Sequence, residues 1–276
     1  MKITKKFSKN KALMIKNNYV AMSAMCRDRI EYIEEWLDYH LSIGVQKIIL
    51  YDNLNEIPLS VSLEKYIKSR KVDVIDWNRD TLNYKQIRAQ NHCVTNYQQF
   101  RWIGFLDIDE FVVLLEESTD IKTYLKEYDE HDALGLHWLL FGSNSHKARQ
   151  KSVLNSYTQS CPNSTVNRHI KSFVNPRNCI ISDYRDPHFI PTKKYTVNVR
   201  HERVYNAFGT GNAVIDYKMR INHYYTRSEE DYFIDKKNRG GGVIVNRVYN
   251  KIHFNDSNRE NVFNDDILKT INRIGG

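Results

Sequence analysis

The stretch that most constrains this chain is RWIGFLDIDEF, residues 101–111. Trp102 to Leu106 are mostly apolar, and three carboxylates follow at once: Asp107, Asp109 and Glu110. The run is too short to show a helical period and is rich in bulky side chains, so it predicts a buried central strand. The acids then fall where that strand ends. Ligands of open α/β sheets bind outside the carboxyl ends of the strands. Side chains of an extended backbone alternate with period 2, so Asp107 and Asp109 point the same way. Two carboxylates held that close repel unless a cation lies between them, and hard oxygen donors suit Mg²⁺ or Mn²⁺. The same acids would also suit a helix cap or a solvated turn. The apolar run Phe111 to Leu115 that follows favours the buried sheet.

The segments ahead of this stretch supply the rest of a sheet. Residues 19–26 (YVAMSAMC) form an apolar strand. Glu31 to Ile43 reads as an amphipathic helix, with Ile33, Trp36, Leu37, His40 and Leu41 at helical spacing and Gly44 as its stop. Strands at 45–53 and 71–77 follow, with a short helix at 63–69 between them and a longer one over 81–99. This β-α-β-α-β-α-β order predicts an α/β fold with a largely parallel sheet and right-handed crossovers. Residues 19–115 therefore form a nucleotide-binding half, and 116–276 the second half of the same domain. The second half predicts a helix over 120–129, a strand through 133–145 and a polar loop over 146–168. Alternating antiparallel strands follow at 169–176, 178–182 and 194–205. A further strand covers 216–228, a capped helix 228–240 ending at Gly240, and a last helix 264–274.

The chain's 276 residues can bury a large core, and its net charge of +8 favours an anionic partner. Four cysteines, Cys26, Cys93, Cys161 and Cys179, form no CxxC pair, so reduced thiols in a cytoplasmic protein are the simpler reading. Residues 1–18 carry six lysines and no acid. They lack the apolar segment of a secretory signal and read as a basic tail that an anionic membrane surface would attract. No stretch reaches the ~18–20 apolar residues of a membrane span. A cytoplasmic location, or a peripheral one at the inner face of the membrane, is expected.

No Walker A loop, no G-x-G-x-x-G and no serine nucleophile elbow is present, which argues against a P-loop NTPase, a dinucleotide dehydrogenase and an α/β-hydrolase. Asp52 and Asn53 end the second strand and suit either a nucleotide contact or an Asx-turn. His223, within a strand, would complete the ligand set of a metal held by two carboxylates, or serve in the core. Lys236, Lys237 and Arg239 would complement a helix C-terminus or clamp a diphosphate leaving group. Trp138, Phe141 and the Gly142-Ser143 turn are either core plus turn or a platform for a sugar ring. His188, Asp183, Asp186 and Glu202 are further polar candidates for an acceptor pocket.

Taken together, YIEEWLDYHLSIGVQKIILYDN, Gln86 and Cys93, RWIGFLDIDEF, HWLLFGSNSH and INHYYTRSEEDYFIDKKNRG resemble the family 2-like and family 92 glycosyltransferases. The resemblance covers most of residues 19–276, and many bacterial members build capsule, lipopolysaccharide or other surface glycans. It implies a glycosyltransferase A-type, Rossmann-like fold with a smaller antiparallel acceptor-side region. It also implies a nucleotide-sugar donor, probed first as a UDP-sugar such as UDP-galactose, and a Mn²⁺ or Mg²⁺ ion. Asp107 and Asp109 match the DxD that holds the metal on the diphosphate, and His223 matches the family's late histidine, a metal ligand. Asp52 matches the strand-end acid near the nucleobase. Lys236 and Arg239 fall on the basic K-x-x-R-G stretch, and Gln86 and Arg88 join the donor-binding residues. Where the family has Asn-Glu before its EW helix this chain has Asp28-Arg29, so Asp28 is the acid expected there.

The resemblance implies displacement with inversion at the anomeric carbon, onto a glycan or lipid-linked glycan acceptor. Glu202 and Glu110 are the named candidates for the base that deprotonates the acceptor, with Asp183 and Asp186 open. A nucleic-acid-binding protein, or a metal nuclease using Asp107 and Asp109, is the rival from another class. The dispersal of basic residues after the tail argues against it, and no nucleic-acid partner is expected.

Overall fold

The computed structural model describes residues 18–27, 30–78, 85–182, 186–209, 211–236, 251–259 and 261–275. Asp28, Asp183, Lys237, Arg239 and Gly240 lie outside them, so the structure carries no account of those positions.

The amino-terminal half builds four strands: β1 (Val20–Cys26), β2 (Lys47–Asp52), β3 (Val72–Asp76) and β4 (Trp102–Phe105). They lie side by side in the order β3-β2-β1-β4, all parallel. Helix α1 (Ile30–Ser42) connects β1 to β2, and helix α2 (Lys85–Asn96) connects β3 to β4. The apolar stripe of α1, Ile33, Trp36, Leu37 and His40, is fully buried. It joins the larger core on one face of the sheet, and Ala89, Cys93 and Val94 of α2 join a second core on the other. Burying one large apolar side chain contributes ~1.5–3 kcal/mol, so this stripe is what docks α1. Gly44 ends the helix at φ 93°, a conformation that L side chains rarely adopt.

The rest of the sheet is mixed. Beyond β4 lie β5 (Glu110–Leu114), β6 (Ala133–Leu140), β7 (Gln159–Ser160), β8 (Ile170–Val174), β9 (Thr196–Val197), β10 (Arg203–Val204), β11 (Met219–His223) and β12 (Val262–Phe263). β8 lies antiparallel between β4 and β6. Close approach of β8 to β4 depends on Gly104, where an added Cβ would lie 2.4 Å from the Phe173 ring. β11 runs parallel to β6 and antiparallel to β5. Strands from both halves of the chain thus interleave, and position 115 is no break in the sheet. β12 and β7 pair separately, and helix α3 (Asp266–Gly275) packs back on the large core through Ile267.

The first half matches the expected element order, whereas the second half departs from it in detail. Residues 178–182 form no strand. Pro176 starts a 3-10 turn capped by Asn175, and Ile180 and Ile181 remain exposed. The strand expected over 194–205 is a pair of two-residue strands, because Asn198 caps a tight turn and His201 takes φ 61°. The ladder expected over 216–228 stops at His223. The capped helix appears as a π-helical turn, Asp231–Lys236, in which Ser228 Oγ accepts from the Asp231 amide.

Candidate active site

The chain passes from β1 outward to β3 and then returns to β4 on the other side of β1. The crevice at such a reversal is where open α/β sheets bind ligands. Leu106 still donates its amide to Ser23 of β1, so Asp107 emerges at that crevice. The turn after it is fastened twice. The Asp107 amide donates to Glu110 Oε2 at 2.8 Å, and the Glu110 amide donates to the Asp107 carbonyl at 3.1 Å. α1 braces the far side, with Trp36 Nε1 donating to the Glu110 carbonyl at 2.8 Å.

Three other elements reach this turn. From α2, Gln86 Nε2 donates to Asp107 Oδ1 at 3.0 Å. From β8, the Lys171 ammonium donates to Asp107 Oδ2 at 2.7 Å and lies 3.4 Å from Glu110 Oε2. From β11, His223 stands opposite Glu110 in register, and its Nε2 lies 3.8 Å from Asp109 Oδ1. Tyr224, next in the chain, donates its amide to the Asp109 carbonyl. A shallow cleft beside the turn is lined by Ser23, Met25, Tyr51, Gln86 and Phe105.

The electrostatics follow from burial. Burial raises the Asp107 carboxyl, but the Lys171 ammonium outweighs it and holds that carboxyl below its ordinary value. Glu110 has no exposed surface, and burial pushes its carboxyl well above the usual range. Burial lowers the Lys171 ammonium, but the neighbouring Asp107 and Glu110 carboxyls outweigh it and hold it above its ordinary value. With Glu110 held toward its neutral form, Asp107 and Asp109 still outnumber the Lys171 ammonium, and that excess of negative charge suits a further cation. The donors are two carboxylates and one imidazole, a set that Mn²⁺ and Mg²⁺ accept. The 3.8 Å between Asp109 Oδ1 and His223 Nε2 is a spacing that two ligands with bonds of about 2.1 Å can span. Asp109 and His223 therefore suit two ligand positions of such an ion, whereas both Asp107 oxygens are held in this structure, by Gln86 and Lys171.

A sequence model of glycosyltransferase family 92 matches residues 18–266. The chain belongs to glycosyltransferase family 92. It is similar to a family 92 protein of Oryza sativa subsp. japonica, 27% identical over 226 residues, 78% of this chain and 34% of that protein. A family 92 protein of Arabidopsis thaliana is 27% identical over 130 residues, 42% of this chain and 21% of that protein. One of Ricinus communis is 28% identical over 101 residues, 35% of this chain and 17% of that protein. The chain thus spans about a third or less of the length of these plant relatives. The mixed α/β sheet flanked by helices agrees with the glycosyltransferase A-type fold.

Within this family 92 domain the other expected residues fall unevenly. Asp52 is buried and held locally, with Oδ1 accepting from Asn55 Nδ2 at 2.6 Å and Oδ2 from the Leu59 amide at 2.8 Å. That is the turn role rather than an open nucleobase contact. Arg88 is half-buried on α2, two residues past Gln86, and Lys236 ends the turn Asp231–Lys236. Glu110 was expected as a candidate base. With no exposed surface it has no approach to an acceptor hydroxyl, and its role here is to fasten the turn. Glu202, the other candidate, accepts from Asn198 Nδ2 at 2.8 Å and closes the turn at 198–202. No hydrogen bond or ion pair joins it to the described acids of the site.

Trp138 is not an open sugar platform. It is 6% exposed, with His169 stacked on it at 4.9 Å and His223 at 4.3 Å. Phe141 is core, and Ser143 is buried against Asn258. His188 packs edge-on to Trp138 at 5.2 Å, and burial followed by the charge of Lys171 lowers it to about 4. Asp186 Oδ1 accepts from the His188 amide at 2.9 Å, and this carboxylate is 44% exposed.

Lys171 is the residue that sequence reasoning missed. In IKSFV the alternation assigns it to the solvent side of a strand. Nothing local marks it as the partner of Asp107, 64 positions earlier.

Proposed function

We propose that this family 92 chain is a metal-dependent glycosyltransferase. It transfers a sugar from a nucleotide sugar, a UDP-sugar such as UDP-galactose, to a glycan or lipid-linked glycan acceptor, with inversion at the anomeric carbon. The observation that carries this reading is the acid turn at the β1/β4 crevice, where Asp107, Asp109 and Glu110 face Lys171 and His223. In this reading Asp107, Asp109 and His223 hold Mn²⁺ or Mg²⁺. The ion, when bound, supplies charge that stabilises the departing nucleotide diphosphate. Gln86 and Lys171 fix the orientation of Asp107. In this reading the nucleoside lies outside the carboxyl ends of β1 and β2, on the Gln86 side of the acid turn. Asp186, exposed beside His188, is the carboxylate we assign to deprotonating the acceptor hydroxyl.

The basic amino-terminal residues support a place at the cytoplasmic face of a membrane, where each lysine near an anionic surface adds ~1 kcal/mol. Assembly of capsule, lipopolysaccharide or another surface glycan is the setting that the resemblance to bacterial family members implies. The test is a panel of nucleotide sugars incubated with and without Mn²⁺. Release of UDP from one UDP-sugar, lost on chelation, is expected. No hydrolysis of any donor, together with thermal stabilisation by oligonucleotides alone, would instead return the nuclease reading.

A further inference from the structure

The chain leaving β11 carries an unmatched cation. Arg227 is 1% exposed, and among the described residues its Nε, Nη1 and Nη2 have no hydrogen-bond partner. Thr226 beside it is fully buried, and its hydroxyl also lacks a partner. Buried polar groups in folded proteins are nearly always hydrogen-bonded, so two consecutive exceptions need a cause.

Asp231, the buried acid four residues on, has its oxygens engaged elsewhere. Asp231 Oδ1 is taken by Arg149 Nε at 3.2 Å, and Oδ2 accepts from Ser228 Oγ at 2.8 Å and Tyr32 Oη at 3.2 Å. What Arg227 does have is the ring of Tyr32, 4.8 Å from its guanidinium carbon. A cation–π contact is a weaker attraction than the hydration an unpaired guanidinium gives up on burial, so the ring does not offset it. Arg227 also sits at φ 51°, a backbone conformation uncommon outside glycine. Among the described residues nothing supplies an anion to this guanidinium.

Its position says which anion. Tyr32 and Trp36 are one turn apart on the same face of α1, and Trp36 Nε1 donates to the Glu110 carbonyl. Tyr224, three residues before Arg227, donates its amide to the Asp109 carbonyl, so Arg227 follows the acid turn within roughly 10 Å of extended chain. Its guanidinium meets Tyr32 in the first turn of α1, where the helix dipole adds partial positive charge. A guanidinium binds two oxygens of a phosphoryl group with parallel hydrogen bonds, and a hydroxyl adds a third. An anion that spans from a divalent-cation site to this guanidinium is a diphosphate.

We propose that Arg227, with the Thr226 hydroxyl, binds the diphosphate of the nucleotide donor, an assignment that rests on the glycosyltransferase reading of the adjacent acid turn. Arg227 is then a binding residue for the leaving group, separate from the Lys236–Arg239 stretch.

The test uses the whole chain, with inorganic pyrophosphate and UDP as probes, by titration calorimetry at physiological salt. Arg227→Met should weaken pyrophosphate binding by about tenfold or more, the loss of a charge-assisted pair of hydrogen bonds. The ligand-free melting temperature of that variant should be unchanged or higher, because a dry unpaired charge has been removed. A structural arginine would behave in the opposite way, and wild-type pyrophosphate affinity in Arg227→Met overturns the assignment. Should that variant not fold, Arg227→Lys retains the charge but not the fork. A several-fold weaker affinity is expected there, and an unchanged one overturns the proposal. Failure of the wider reading looks different. Arg227-dependent pyrophosphate binding without hydrolysis of any nucleotide sugar upholds the anion site and removes the glycosyltransferase assignment.

Discussion

Lys171 Nζ lies 2.7 Å from Asp107 Oδ2, and only 1% of the lysine side chain is exposed. A strand from the second half of the chain thus supplies the countercharge for an acid at the end of β4. Replacing one partner of a buried pair leaves the other uncompensated, at a cost of ~3–5 kcal/mol. Asp107 is partly open to solvent, so the lower end is expected for Lys171→Met. Urea unfolding should show a lower midpoint at an unchanged slope. A midpoint equal to wild type would mean that the pair contributes nothing to the fold.

Asp109 stands apart from that pair. Its carbonyl holds Tyr224 whatever its side chain is, and its carboxylate faces His223. Asp109→Ala should keep the wild-type circular dichroism spectrum and lose metal-dependent transfer. Near-wild-type turnover would remove the acid from the site.

His223→Ala should raise the Mn²⁺ concentration needed for half-maximal activity by ~10-fold or more. Electron paramagnetic resonance of added Mn²⁺ reads the same loss without turnover. An unchanged requirement would assign His223 to packing against Trp138 alone.

His40 predicts the acid limb of stability. It is fully buried, with Nδ1 donating to the Trp36 carbonyl and Nε2 accepting from the Val112 amide. Burial lowers it to about 3, and burial lowers His137 to about 4. Both are neutral when folded, whereas the unfolded chain takes up protons near the ordinary histidine pKa of about 6.5. Their contribution is therefore full above about pH 6.5 and is lost as the pH falls toward the folded values. The unfolding free energy should decline between about pH 6.5 and 5, and His40→Gln should flatten part of that decline. A wild-type profile flat across that interval would contradict the prediction.

Much of the first half was legible because its signals are local. The stripe Ile33–Trp36–Leu37–His40 and the strand β4 each encode a burial pattern within a few residues. Asp107 and Asp109 were legible for the same reason, since acids directly after an apolar strand lie at its end. The exposed pair Ile180 and Ile181 misled in the opposite sense, because two apolar residues specify no strand without a neighbour to pair with. The roles of Glu110 and Glu202 were open in the sequence, since burial and turn closure depend on what packs around them.

By itself, then, the sequence determined the alternation of strands and helices over 19–106 and the carboxylates that end it. Hydrophobic period and chain order are properties of short segments, which need no partner to be read. The tertiary structure alone decided that Lys171 neutralises Asp107, that His223 meets Asp109, and that Arg227 is left over Tyr32 without a hydrogen-bond partner among the described residues. Each of these joins residues far apart in the chain, and strand register and burial, not residue type, set which charge faces which.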